Sequence, residues 1–139
     1  MRQFRFFHDL NLVVMEHGER IDDRSLLESL LAVYDHPDFV PGMDEIASFL
    51  GTRAVEVTAS GLRGIARSFP RPGHENAEPN LLAVVTTTKL GHGLSRLYGA
   101  HAYRDGEVAL EILATLAEAC DWLDRSRGRS PGTTRAVVL

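Results

Sequence analysis

The 139-residue chain has a single cysteine, no long uncharged apolar run and no excess of basic charge, and each shortage removes a class of protein. Cys120 alone can form neither an internal disulfide nor a cysteine-rich zinc cage, which points to a reducing, cytoplasmic setting. No stretch approaches the roughly 18 uncharged residues that a membrane span needs, so neither a secretion signal nor a transmembrane segment is expected. With 15 Lys+Arg against 19 Asp+Glu the formal net charge is −4, which disfavours nucleic acid and acidic membranes as partners. The six histidines, His8, His17, His36, His74, His92 and His101, show no H-x-H or H-E-x-x-H spacing, so no metal and no cofactor is expected. G-x-S-x-G is also missing, and no repeat of fixed period marks a solenoid.

What is present is the composition of one ordinary globular domain, 44% hydrophobic and 24% charged. Short extended runs at Phe4 to His8 and Leu12 to His17, split by Asp9-Leu10-Asn11, read as a hairpin. Asp22 or Asp23 then caps a helix whose Leu26, Leu27, Leu30, Leu31, Val33 and Tyr34 fill one face, and His36-Pro37 ends it. Residues 44 to 57 suggest a strand in which Gly51-Thr52 is a bulge or a turn. Thr58 or Ser60 opens a second helix with Leu62, Ile65, Ala66 and Phe69 in one stripe. The loop Pro70 to Asn80, with three prolines, leads to LLAVVTT at Leu81 to Thr87, a run suited to a strand covered on both faces.

Gly91-His92-Gly93 leads into a third helix carrying Leu94, Leu97, Tyr98 and His101, and Glu107 to Ile112 makes the last strand. A capping box from Thr115 to Glu118 starts the closing helix, with Leu116, Ala119, Cys120 and Leu123 inward. The order predicts an α/β domain over residues 1–125: a mixed β-sheet, an antiparallel hairpin followed by parallel strands, covered by about four helices. Residues 126–139, SRGRSPGTTRAVVL, read as a flexible tail. That tail segregates charge, because Arg125, Arg127, Arg129 and Arg135 leave only 11 basic residues against 19 acidic ones before them.

The segments GERIDDRSLLESLLAVYDHPDFVPGM, TASGLRGIA, GLSRLY and LAEACDWL, in that order, give the chain a resemblance to the SpoIIAA-like (STAS-like) family of small bacterial proteins. The resemblance spans roughly residues 3 to 125. It implies a compact α/β sheet domain in a fold group that includes phosphorylated regulatory switches and lipid-binding domains of the CRAL-TRIO kind. The switches carry Asp-Ser-Ser-Gly-Leu with the second serine as phosphate acceptor. The matching stretch here is Thr58-Ala59-Ser60-Gly61-Leu62, so Ser60 stands at the acceptor position while Thr58 and Ala59 depart from the pattern.

Read from the residues, Ser60 is an exposed phospho-acceptor or, like Thr58, simply a helix cap. Gly91, His92 and Gly93 form either a turn or an anion-cradling helix entrance, though G-x-G-x-x-G fails because position 96 is Arg. Arg96 falls opposite its helix's apolar stripe and points outward, and with Arg63 it adds a basic spot on an acidic body, fit for an anion or a partner. Asp22-Asp23 suits a helix start better than acid catalysis. The expected function is a non-enzymatic regulatory or protein-binding module, with a protein partner or a homodimer. The alternative is a protein holding a small apolar or anionic ligand, with Phe4, Phe6, Phe7 and Phe39 lining an apolar cavity. Catalysis through His92 ranks behind both.

Overall fold

A computed structural model describes residues 3–68, 80–102 and 110–139. Its strands and helices run β1 (Gln3–Phe7), β2 (Leu12–Glu16), β3 (Arg20–Asp22), α1 (Asp23–Tyr34), β4 (Asp44–Ser48), β5 (Ala54–Glu56), α2 (Ala59–Ser68), β6 (Leu82–Val85), α3 (Lys89–Ala102), β7 (Leu110–Leu113), α4 (Leu116–Arg127) and α5 (Thr133–Val138). The expected positions at Phe69, in the 70–79 loop, at His74 and at 107–109 lie outside the described residues, as does the side chain of His101.

Five strands form a mixed sheet in the order β1-β2-β4-β6-β7. β1 and β2 are antiparallel, with Phe7 opposite Leu12, and the hairpin closes through a 3-10 turn and Asn11 at φ 49°, a left-handed conformation that asparagine tolerates. All later pairings in this sheet are parallel. Strands are added in one direction, so crossovers of one hand place α1, α2 and α3 on the same face. Alternation along the strands then builds two cores. Val13, Met15, Ala47 and Val84 meet Leu26, Leu30, Leu62 and Ile65 above the sheet. Leu12, Val14, Ile46, Ala83 and Val85 meet Ala119, Cys120, Leu123 and Val138 below it. Among the described residues the strand order does not reverse, so their sheet shows no topological switch point to collect a ligand at the strand ends.

The segment expected to be one strand over 44 to 57 is two strands in different sheets. β4 stops at Ser48, the chain turns, and β5 pairs with β3 in a separate parallel ladder. Thr52 causes the departure: its hydroxyl donates to the Gly18 carbonyl at 2.8 Å, and the Arg53 and Ala54 amides donate to Glu19 O at 2.8 and 2.9 Å.

Helix starts follow local side-chain chemistry. Asp22 caps α1, accepting from the Ser25 amide at 2.7 Å while Ser25 Oγ accepts from the Asp22 amide. α3 begins at Lys89, earlier than expected, because Thr88 Oγ1 accepts from the Gly91 amide at 2.9 Å. In α4, Thr115 Oγ1 accepts from the Glu118 amide, and Glu118 reaches back one residue further than expected, to the Ala114 amide.

The expected flexible tail at 126–139 is corrected: it folds. Gly128 ends α4 at φ 68°, Gly132 opens α5 at φ 86°, and Val138 enters the lower core, so the described residues contain five α-helices. Its arginines land on aspartates, Arg127 on Asp44, Arg129 on Asp124 and Arg135 on Asp121. The charge segregation seen in the sequence is thus an internal fastening. No helix among the described residues is long and apolar enough to cross a membrane.

Candidate functional site

A cavity of about 90 Å³ lies between the upper face of the sheet and α1, α2 and α3. A single water needs roughly 10–15 Å³ of such space, so there is room for a small organic molecule. Met15, Ala47 and Val84 form the floor, and Leu26, Leu30, Leu62 and Leu94 line it from the helices. The phenylalanines expected to line a cavity do not: Phe4, Phe6 and Phe39 pack against the upper core and Phe7 against the lower one.

Two ionisable groups interrupt this apolar lining. His17 directly follows β2, and its amide donates to Ser48 O at 2.9 Å, extending the ladder by one residue. It continues the alternation of Val13 and Met15 and therefore faces the cavity. The side chain is 2% exposed and stacks on Phe49, with ring centroids 4.3 Å apart and planes 5° from parallel. Among the described residues neither Nδ1 nor Nε2 has a hydrogen-bond partner. Burial pushes its pKa down to about 4, so the ring is neutral near pH 7, with one donor and one acceptor unused.

Glu45, on the same face of β4, is 4% exposed. The Tyr34 hydroxyl donates to Oε1 and Asn80 Nδ2 to Oε2, each at 2.6 Å. Burial nevertheless pushes its pKa up to about 7. Tyr98 reaches the same end from α3, its own hydroxyl raised above the usual range by burial and by the Glu45 charge. Register sets His17 level with Phe49, four residues past Glu45, which separates the two groups by about 13 Å along the strands.

Sequence reasoning passed over both residues. The available signal was position: each occupies the strand parity that faces the helices, where an ionisable side chain must be satisfied or functional.

The residues singled out from sequence are placed as follows. Thr58 caps α2: its hydroxyl accepts from the Gly61 amide at 2.9 Å and donates to Asp23 Oδ2 at 2.7 Å, while its amide donates to Asp23 Oδ1. The Asp23 carboxylate thus already sits at the helix entrance that an anion would use. It also fixes Gly61, where a Cβ would lie 2.1 Å from Asp23 Cγ. Ser60 is exposed in the first turn and does not cap. Thr58→Ala should therefore cost about 1–2 kcal/mol while Ser60→Ala stays within about 0.5 kcal/mol, read by urea denaturation. Equal losses would contradict this division of roles.

Gly91, His92 and Gly93 lie inside the first turns of α3 and make no turn ahead of it. A Cβ on Gly91 would fall 2.4 Å from Thr86 Oγ1, so this glycine permits helix and strand to meet at the cavity wall. Gly91 is the one residue of the sequence-derived set that lines the cavity. His92 and Arg96 are exposed and contact each other, Arg96 Nε donating to His92 Nδ1 at 3.4 Å. Arg63 is half-buried on α2, and among the described residues no hydrogen bond or ion pair joins it to Arg96. No group of three His, Cys, Asp or Glu side chains among the described residues could hold a metal ion. No family model, no curated protein and no solved structure matches this chain.

Proposed function

We propose that the protein is a STAS-like domain that binds a small, largely apolar ligand between its sheet and α1–α3. The observation that carries this reading is His17, an imidazole 2% exposed in the cavity wall with both ring nitrogens unpaired among the described residues. Leaving buried polar atoms without partners costs about 1–3 kcal/mol each, a cost that a bound polar group at that end of the cavity removes. The mixed sheet with its leading hairpin supports the STAS-like part of the reading. A phosphorylated module acting through Ser60 has weaker support, because the Asp23 carboxylate occupies the amide and hydroxyl at that helix entrance.

Ala47→Leu provides the test, since it adds bulk to the cavity floor. A compound from a panel of small amphipathic molecules should raise the melting temperature of the parent protein, by about 2.7 kcal/mol of stabilisation at a hundredfold excess over Kd. The same compound should leave Ala47→Leu unshifted. Equal shifts in both proteins, or no shift in either, would overturn the reading.

A further inference from the structure

Glu45 is a carboxyl buried at the opposite end of the cavity from His17, and among the described residues no lysine, arginine or histidine pairs with it. Its two hydrogen-bond donors, Tyr34 and Asn80, are neutral. A carboxylate taken out of water normally has a cation beside it, and none of the described residues supplies one here. Asp44, its neighbour on β4, lies on the other face and is paired with Arg127, so it lends no positive charge. Beside Asn80, the described groups around Glu45 are aromatic: Tyr34 from α1 and Tyr98 from α3 both line this end, and Phe39 sets its ring edge-on to Tyr34 at 5.0 Å. A carboxyl flanked by phenol rings is the chemistry that holds an organic ammonium group, the ring faces supplying cation–π attraction and the carboxylate the counter-charge. Each Glu45 oxygen accepts one hydrogen bond from the described residues, which leaves it a lone pair for an ammonium N–H.

We propose that the ligand is an organic amine whose ammonium group sits against Glu45 beside Tyr34 and Tyr98, and whose apolar body runs over Ala47 and Val84 toward His17. The proposal rests on the ligand-cavity reading and adds the charge and orientation of the ligand. An anionic ligand would meet the Glu45 carboxylate, and a neutral one would leave it without a counter-charge.

Titration calorimetry at pH 8, where Glu45 is ionised, separates these cases with three probes of matched shape: 3-phenylpropylamine, 3-phenylpropanol and 3-phenylpropionate. The amine should bind roughly tenfold or more tighter than the alcohol, as expected for a desolvated cation on aromatic rings, and the propionate should bind weakest. Glu45→Gln should bring the amine down to the level of the alcohol. If the alcohol or the propionate binds the parent protein as well as the amine does, the amine assignment is overturned while the cavity reading stands. If none of the three binds, and the amphipathic panel gives no shift that Ala47→Leu abolishes, both are overturned. The ranking on the parent protein decides the matter even if Glu45→Gln does not fold.

Discussion

Between pH 4.5 and 6.5 the stability of Glu45→Gln will rise with pH, that of His17→Phe will fall, and that of the parent protein will stay nearly flat. The cause is a pair of buried groups displaced in opposite directions. His17 goes from an ordinary 6.5 down to about 4, so within this window the unfolded chain binds a proton that the folded one does not. Its contribution is present above pH 6.5 and is lost as the pH falls toward 4. Glu45 goes from 4.5 up to about 7, so here the folded chain holds the extra proton. Its contribution is present below pH 4.5 and is lost as the pH rises through 7. One proton of difference is worth up to about 1.4 kcal/mol per pH unit, and the two slopes cancel where the ranges overlap. Each single substitution exposes the other group's slope, amounting to about 2 kcal/mol across the window by the same conversion, because the slope fades as the pH nears each pKa. Phenylalanine at 17 can keep the stack on Phe49, so the slope is read in a packed protein. Asp22, Asp121 and Asp124 are held below their ordinary 3.8 and exert their pH dependence on the acid side of the window. Urea midpoints at half-unit steps measure all three proteins, and a Glu45→Gln variant as flat as the parent would contradict the assignment of both groups.

Much of the fold was legible because it is written in local pattern. LLAVVTT is the interior strand its unbroken apolar run required, and the Leu26, Leu30 and Val33 stripe packs as its spacing demands. The failures share a physical cause, which is that the deciding partner is far away in sequence. β3 and β5 are three residues each, too short to carry a period, and they exist because Thr52 and Ala54 bond back to residues 18 and 19. The glycine-rich end of the chain has the composition of a tail, yet Gly128 and Gly132 supply the positive φ angles that turn the chain back onto α4. Gly91 reads as a turn residue until Thr86 is found where its Cβ would be. The cavity was the least legible feature. His17 and Glu45 are unexceptional strand-end residues until β2 and β4 stand in parallel register and turn both toward the same space.

Asp124→Ala will destabilise the protein by about 3 kcal/mol or more, the loss expected when a buried, hydrogen-bonded carboxylate is removed from its donors. Asp124 is 1% exposed on α4 and accepts from the Thr134 amide at 3.2 Å, from Thr134 Oγ1 at 2.6 Å and from Arg129 Nε at 3.2 Å. Burial works to raise its pKa, but the bonds from Thr134 and Arg129 together hold it below the ordinary range. Its stabilisation is therefore present above pH 3.8 and is lost as the pH falls through the lower folded value. Alanine leaves the fully buried Thr134 with an unpaired amide, at about 1–3 kcal/mol, and a hydroxyl hydrogen without its acceptor, while the hydroxyl oxygen still accepts from Arg129 Nη2 at 3.2 Å. Arg129 loses a partner but can turn to water, so it adds little. Adding Thr134→Val to Asp124→Ala should recover part of the loss, since it replaces a hydroxyl whose hydrogen has lost its acceptor with a methyl group, and the partly exposed Arg129 can turn to water. Arg135→Ala, which breaks only the more exposed pair with Asp121, should cost less than about 1 kcal/mol. Hydrogen exchange locates the effect: in Asp124→Ala the amides of α5 should exchange ahead of those of α4, because α5 is then held mainly by Val138 in the lower core. A loss below about 0.5 kcal/mol would mean that residues 129–139 are not fastened to the domain, because surface substitutions of that size leave no buried group unpaired.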